Sequence, residues 1–237
     1  YNMFENGKTY TVTADGNEYS LCVQKANGIG SMFLTTESGG MRNIHSNKSI
    51  KESGQLIAID YDGSVSYDNK LSSIKGRGNS TWRLPKKPYN IKLDKKTALL
   101  GMDKNKKWCL LANAQDHSMI RNTLMYNLAD EIGLEYSPDS RFVDLYANGL
   151  YLGTYQLTQK VEAGEGDLVD ITDLEKKTEE AVANGTGLED VDIADMYGDD
   201  QYSYVSEEFM REGFNIPYNP DDITGGYLLE FVVAIDE

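Results

Sequence analysis

Residues 73–96, SIKGRGNSTWRLPKKPYNIKLDKK, gather the side chains of this chain best suited to meeting an anion. Gly76 and Gly78 permit a tight bend that turns backbone N–H groups toward a bound oxygen. Asn79, Ser80 and Thr81 add side-chain donors, and Arg77 offers a planar fork matched to phosphate. Lys92 stands on the polar side of an alternating run whose other side carries Tyr89, Ile91 and Leu93. Such alternation is the mark of a strand with one buried face. A lysine placed this way can serve as a point charge on a polyphosphate. A Gly-x-Gly pair alone matches neither the Walker sequence nor the Gly-x-Gly-x-x-Gly of nucleotide-binding loops. Spacing therefore leaves two readings open, a phosphate cradle or a basic hairpin turn anchored by a buried Trp82. Trp108 reads as a core aromatic, and Lys86 and Lys87 read as solvated.

Other chemistries are poorly supplied. Two histidines, His45 and His117, do not suffice for a zinc site or a histidine-based triad. GDLVDITDLE lacks the ligand periodicity and the glycine of a calcium loop. Cys22 and Cys109 have no metal-ligand spacing and read as buried free thiols, with one disulfide as the alternative. The formal net charge of −15 argues against nucleic acid as a partner. That charge is uneven, with 11 Lys and Arg against Asp94 and Asp103 between residues 75 and 108. Between residues 162 and 208 stand 16 Asp and Glu against Lys176 and Lys177. No apolar run is long enough for a membrane span.

The elements that must position these groups follow from pattern. KTYTVTADGNEYSLCVQ alternates around an Asp-Gly turn, and SMFLTTESG and GQLIAIDYDGSVSYDN continue as strands. DHSMIRNTLMYNLADEIGLEY is the clearest helix, because Ile120, Leu124 and Leu128 recur every four residues beside Met125, Ala129 and Ile132. Asp116 or Ser118 can cap its start and Gly133 its end. RFVDLYANGLYLGTYQLTQKVE is a hairpin around Asn148 and Gly149. Further on, a short helix is expected near residues 173–184, a second in DDQYSYVSEEFMREGF and a buried strand in TGGYLLEFVVAI. The order predicts an α+β fold, mainly antiparallel sheet with packed helices.

IKGRGNSTW, KKPYNIKLDKK, LLGMDKNKKWCLLANAQDHSMIRNTLMYNLA, VDLYANGLYLGTYQLTQKVE and GGYLLEF follow one another over residues 74–231. This succession resembles the CotH family, named after spore coat protein H. The resemblance implies an atypical protein kinase with a bilobal kinase-like fold, which moves the γ-phosphoryl of ATP to Ser or Thr with Mg²⁺. It implies a Ser/Thr-rich coat or surface protein as substrate, on the spore coat or cell surface of a bacterium. By the same resemblance, Gly76, Arg77, Gly78, Asn79 and Ser80 lie over the phosphates and Lys92 contacts them. Gln156 and Thr158 belong to the 156–162 segment that meets adenine, and Arg121 or Glu131 supports the pocket. Residues 1–73 form a β-rich entry segment. Residues 74–237 form the N-terminal portion of the CotH domain, with an acidic helical insert at about 163–220. The family's catalytic aspartate and Trp-Asp-Phe-Asp-like metal motif come after the GGYLLE strand. The last tryptophan here is Trp108. The expectation is therefore a chain lacking most of the second lobe, with no catalytic residue of its own and its metal ligands unassigned. The alternative is a non-catalytic surface, adhesion or structural coat module on the same fold.

Overall fold

Strands dominate the residues described by the structure, a computed structural model covering residues 8–23, 28–164 and 167–169. The chain divides into two compact units, Tyr1–Lys160 and Val161–Glu237. In the first unit, β1 (Thr9–Ala14) and β2 (Asn17–Cys22) make a separate hairpin around Asp15 and Gly16. The remaining strands are β3 (Gly30–Thr36), β4 (Lys51–Ile59), β5 (Val65–Gly76), β6 (Tyr89–Thr97), β7 (Asn105–Leu111), β8 (Ser140–Ala147) and β9 (Leu150–Gln159). Two short helices, α1 (Arg42–Ser46) and α2 (Arg121–Glu131), and a 3-10 helix at Ser80–Arg83 connect them.

The expected α+β sheet with packed helices is not what forms. The seven strands close into a barrel in the order β3-β4-β5-β6-β7-β9-β8. Neighbours are antiparallel except at the seam, where β3 runs parallel to β8 from Gly30 opposite Val143 to Leu34 opposite Ala147. Closure gives every edge strand a partner, which a helix-covered open sheet does not. The side chains expected inside on β6 do point inward, where Tyr89, Ile91 and Leu93 meet Leu34, Leu71, Ile74, Trp108, Leu110 and Leu157. A barrel this small is filled by its own side chains, so any binding must happen on its outer face or at its ends.

The hairpin turns follow their residues. Asn148 and Gly149 have φ of 50° and 78°, the double positive φ of a type I′ turn, and Ala147 pairs with Leu150 across it. The helix expected at 118–132 forms as α2, but its apolar stripe does not face the barrel. Leu124 is 63% and Leu128 43% exposed, and α2 buries no residue. Its less exposed positions are Thr123, Tyr126 and Ala129. The division expected at residue 73 falls inside β5.

In the second unit Ala163 and Val169 form a parallel bridge, and the Val169 N–H donates to the Glu162 carbonyl at 3.1 Å. The helices expected near 173–184 and in DDQYSYVSEEFMREGF, and the strand in TGGYLLEFVVAI, lie outside the described residues. No helix among the described residues is long and apolar enough to cross a membrane.

Candidate functional site: a cationic strand face and its adjoining cavity

Strand register builds the first part of the site. Inward placement of Ile74, Ile91, Trp108 and Leu157 forces the alternate residues of β5, β6, β7 and β9 outward. Lys92 of β6 is paired with Ser73 of β5 on one side and Lys107 of β7 on the other. Lys160, just past β9, donates its N–H to the Lys107 carbonyl at 3.0 Å. Lys92, Lys107 and Lys160 thus occupy three successive positions across neighbouring strands, about 5 Å apart from one to the next. One row along the strands, Lys75, Asn90, Cys109 and Thr158 stand side by side. Arg77 follows Lys75 by two residues.

Like charges directly opposite one another on a sheet repel. Lys160 records that crowding, since burial holds its ammonium below the ordinary lysine value and Lys107, Lys75 and Arg77 push it the same way. Beneath these cations Cys109 is buried, with its Sγ 3.3 Å from Asn90 Oδ1. Burial raises the Cys109 thiol, against the pull of Arg77 and Lys160. Tyr126 of α2 reaches the same region, its phenol raised by burial and then by Cys109, with Arg77 opposing.

The helix is docked by a buried amide. Gln156 is fully buried on β9. Its Nε2 donates to Thr123 Oγ1 at 2.9 Å and to Ser140 Oγ at 3.0 Å. Its Oε1 accepts from Asn113 Nδ2 at 2.9 Å. Thr158 is also buried and donates its hydroxyl to the Asp139 carbonyl at 2.8 Å. Gln156 and Thr158 therefore fix the wall and floor from below, with their polar atoms already engaged by the protein.

The second part of the site is a cavity of about 310 Å³ at the Arg77 end, reached by Thr81, Lys86, Asn113, Arg121 and Asn122. Lys86 is half-buried rather than solvated, its ammonium bonded to the Thr154 carbonyl and 4.7 Å from the centre of the Tyr155 ring. Burial lowers its pKa. Lys87 is likewise engaged, donating to the Trp82 carbonyl at 2.6 Å. Asp116 caps the start of α2 by accepting the Arg121 N–H at 3.0 Å, and Arg121 Nε lies 3.5 Å from its carboxylate. The hydrogen bonds from Ser118 and Arg121 hold Asp116 below the usual carboxylate range.

The bend 76–80 is packed rather than open. Trp82 ring atoms stand 2.5 and 2.6 Å from where a Cβ on Gly76 would lie. Gly78 has φ +79°, and Lys48 Nζ donates to its carbonyl at 3.3 Å and to Asn79 Oδ1 at 2.7 Å. The Arg77 N–H is taken by the Pro88 carbonyl at 3.2 Å. Ser80 is exposed at the start of the 3-10 helix. So Arg77 lines the cavity, whereas Gly76, Gly78 and Asn79 shape the turn that carries it. Lys92 shares the outer face with Arg77 but stands four residues along the strand, about 13 Å, from the Arg77 position and does not line the cavity. Glu131 lies exposed at the far end of α2, about 15 Å from Arg121 at 1.5 Å per residue.

Sequence reasoning missed Lys75, Lys86, Lys107 and Lys160. The outward alternation that singled out Lys92 applies equally to Lys75 and Lys107, but their adjacency needs the strand register.

The family model described as CotH kinase protein matches residues 74–208, more than half of the chain. The chain belongs to the CotH family. The match begins at Ile74 in β5 and takes in every residue of both parts of the site. Comparison with curated proteins gave no match. The CotH domain therefore contributes the cationic strand face, α2 and the cavity together, while β3 and β4 complete its barrel from before the matched region.

Proposed function

We propose that this chain handles the nucleotide of a CotH-type phosphotransferase. The outer face of β5, β6, β7 and β9 holds the polyphosphate of ATP, and the acceptor is a Ser or Thr of a spore-coat or surface protein. The Lys92–Lys107–Lys160 row, with Lys75 and Arg77 on the same face, carries this reading. Five cations gathered on one face, several of them half-buried, repel one another. A bound polyanion turns that repulsion into attraction in a site where water screens less than in bulk.

Mg²⁺ favours carboxylate and phosphate oxygens. The row and its neighbours Lys75 and Arg77 supply ammonium and guanidinium groups rather than oxygens. Among the described residues no three His, Cys, Asp or Glu side chains gather to hold an ion. The residues here do not fit Mg²⁺, and no step is assigned through it. The described residues contribute binding and charge stabilisation.

Calorimetric titration of ATP into wild type, Arg77→Ala, Lys92→Ala and Lys160→Met, with and without Mg²⁺, tests the reading. The expected result is saturable binding by wild type and a loss of about tenfold for each variant. Absence of ATP binding by wild type would remove it. The alternative, a non-catalytic module, is supported by the same row, which also suits an acidic polypeptide. Salt-sensitive capture of a poly-glutamate peptide that ATP does not displace would select it.

A further inference from the structure

Helix α2 is mounted with its apolar side outward. Thr123, Tyr126 and Ala129 are its less exposed positions, and polar bonds hold it in place. Gln156 Nε2 donates to Thr123 Oγ1 at 2.9 Å, Asn122 Nδ2 to Asn113 Oδ1 at 3.1 Å and Ser137 Oγ to the Tyr126 carbonyl at 3.2 Å. Ile120, Leu124, Met125, Leu128 and Ile132 stand roughly 160° away around the helix at 100° per residue. Each of the five is at least 43% exposed. Just past Gly133, Leu134 and Tyr136 add further exposed apolar surface. A surface helix ordinarily turns such a stripe to the core. A contiguous apolar patch left in solvent marks a contact surface.

The order of residues along the stripe points to what covers it. Ile120 and Ile132, Arg121 and Glu131, and Leu124 and Leu128 are three pairs placed symmetrically about position 126. A stripe with this pattern is complementary to its own reversed copy, because apolar residues meet apolar ones and the cation at one end meets the acid at the other. Arg121 and Glu131 fall within the stripe at 100° per residue, not on its flanks. The Arg121 side chain is 79% exposed, with its Nε 3.5 Å from Asp116. Glu131 is exposed and has no ion-pair partner among the described residues. A parallel pairing would set arginine against arginine. The antiparallel one pairs each arginine with an acid and lets the two helix dipoles attract.

We infer that α2 is the contact through which two copies of this chain associate, antiparallel about a two-fold axis at the level of residue 126. Leu124 packs on the partner's Leu128 and Arg121 meets the partner's Glu131, each contact occurring twice by symmetry. Such an interface is isologous and closes on itself. It is independent of the nucleotide reading, since it uses the side of α2 opposite to its docked one. An 11-residue helix is about 16 Å long. The contact area therefore falls below the ~1,200 Å² of the smaller stable interfaces, and micromolar association is expected.

Sedimentation velocity of the full 237-residue chain, from low to high micromolar concentration, tests this. Wild type is expected to pass from monomer to dimer across that range, and Leu128→Glu to remain monomeric. Arg121→Glu and Glu131→Arg should each weaken association about tenfold or more, because each sets like charges against one another twice. Mixing these two variants in equal amounts should restore association to near the wild-type level, since every charge pair across the mixed dimer is again opposite in sign. All three positions are exposed, and circular dichroism checks that each variant keeps its fold. A wild type that stays monomeric overturns the inference. If it then binds an apolar dye that Leu128→Glu does not bind, the stripe serves a different partner. A dimer that survives Leu128→Glu lies on another face and overturns the inference as well. A mixture no tighter than either variant alone rules out the antiparallel pairing and the inference with it.

Discussion

Trp82 lies against Gly76 so closely that its ring atoms fall 2.5 and 2.6 Å from the place of a missing Cβ, with the Lys48 Cα 2.9 Å away on the backbone side. The glycine that looked like part of a phosphate cradle is a seat for an indole. Gly76→Ala must displace the ring or the backbone, and overpacking of this kind costs about 1–3 kcal/mol. Denaturant melts should show that loss, and Trp82→Leu in the Gly76→Ala background should restore part of it. Additive losses in the double variant would disprove the contact.

Gln156 joins β9 to α2 and to the β7–α2 loop through one buried amide. Gln156→Leu leaves Asn113, Thr123 and Ser140 without their partner, and each buried group left unsatisfied costs about 1–3 kcal/mol. The expected outcome is destabilisation together with faster amide exchange confined to residues 113–131. Unchanged exchange in α2 would show that the helix is docked by something else.

Anion binding on the cationic face should take up protons in alkaline solution. Lys160 and Lys86 are held below their ordinary value of 10.5, chiefly by burial. Between the depressed and the ordinary value the folded chain binds fewer protons than the unfolded one. Stability from these lysines therefore rises as pH climbs through that window. A polyphosphate bound on the face restores the charge of Lys160. Binding enthalpies of ATP measured in buffers of different ionisation heat should reveal proton uptake that Lys160→Met reduces. Proton release, or no linkage in wild type, would contradict this.

His45 gives an opposite limit in acid. Its Nε2 is 2.7 Å from Tyr89 Oη, and burial followed by Lys87 lowers its pKa from 6.5. Tyr89 stays protonated because burial pushes its phenol strongly upward, and burial pushes that of Tyr155 up to about 12. The unfolded chain takes up the His45 proton first. Stability therefore falls as pH drops below 6.5 and levels off below the depressed value. His45→Gln should flatten that part of a stability–pH curve, and an unaltered slope would rule out His45 as its source.

Cys109 is buried under the lysines with its thiol raised, so a disulfide reagent should react only when the face opens. ATP should slow that reaction if it covers the face. Labelling at the rate of a free thiol, untouched by ATP, would place Cys109 elsewhere.

What the residues dictated alone was local. Alternation in YNIKLD placed Tyr89, Ile91 and Leu93 inside, the Asn-Gly pair set its turn, and the helix of residues 121–131 formed where its period required. These properties rest on neighbours in the chain, which a sequence displays directly. The family, too, was legible in motifs along one stretch.

Long-range pairing was decided only in three dimensions. The parallel seam between β3 and β8 joins residues more than a hundred positions apart and turned the expected helix-packed sheet into a barrel. Closure then left the apolar stripe of α2 exposed, because the barrel met Thr123 through Gln156 and left Tyr126 half-buried instead. Register likewise set Lys92, Lys107 and Lys160 side by side. Charges from separate strands interact through space, and their separation there is fixed by hydrogen-bonded pairing, a quantity that no single strand contains.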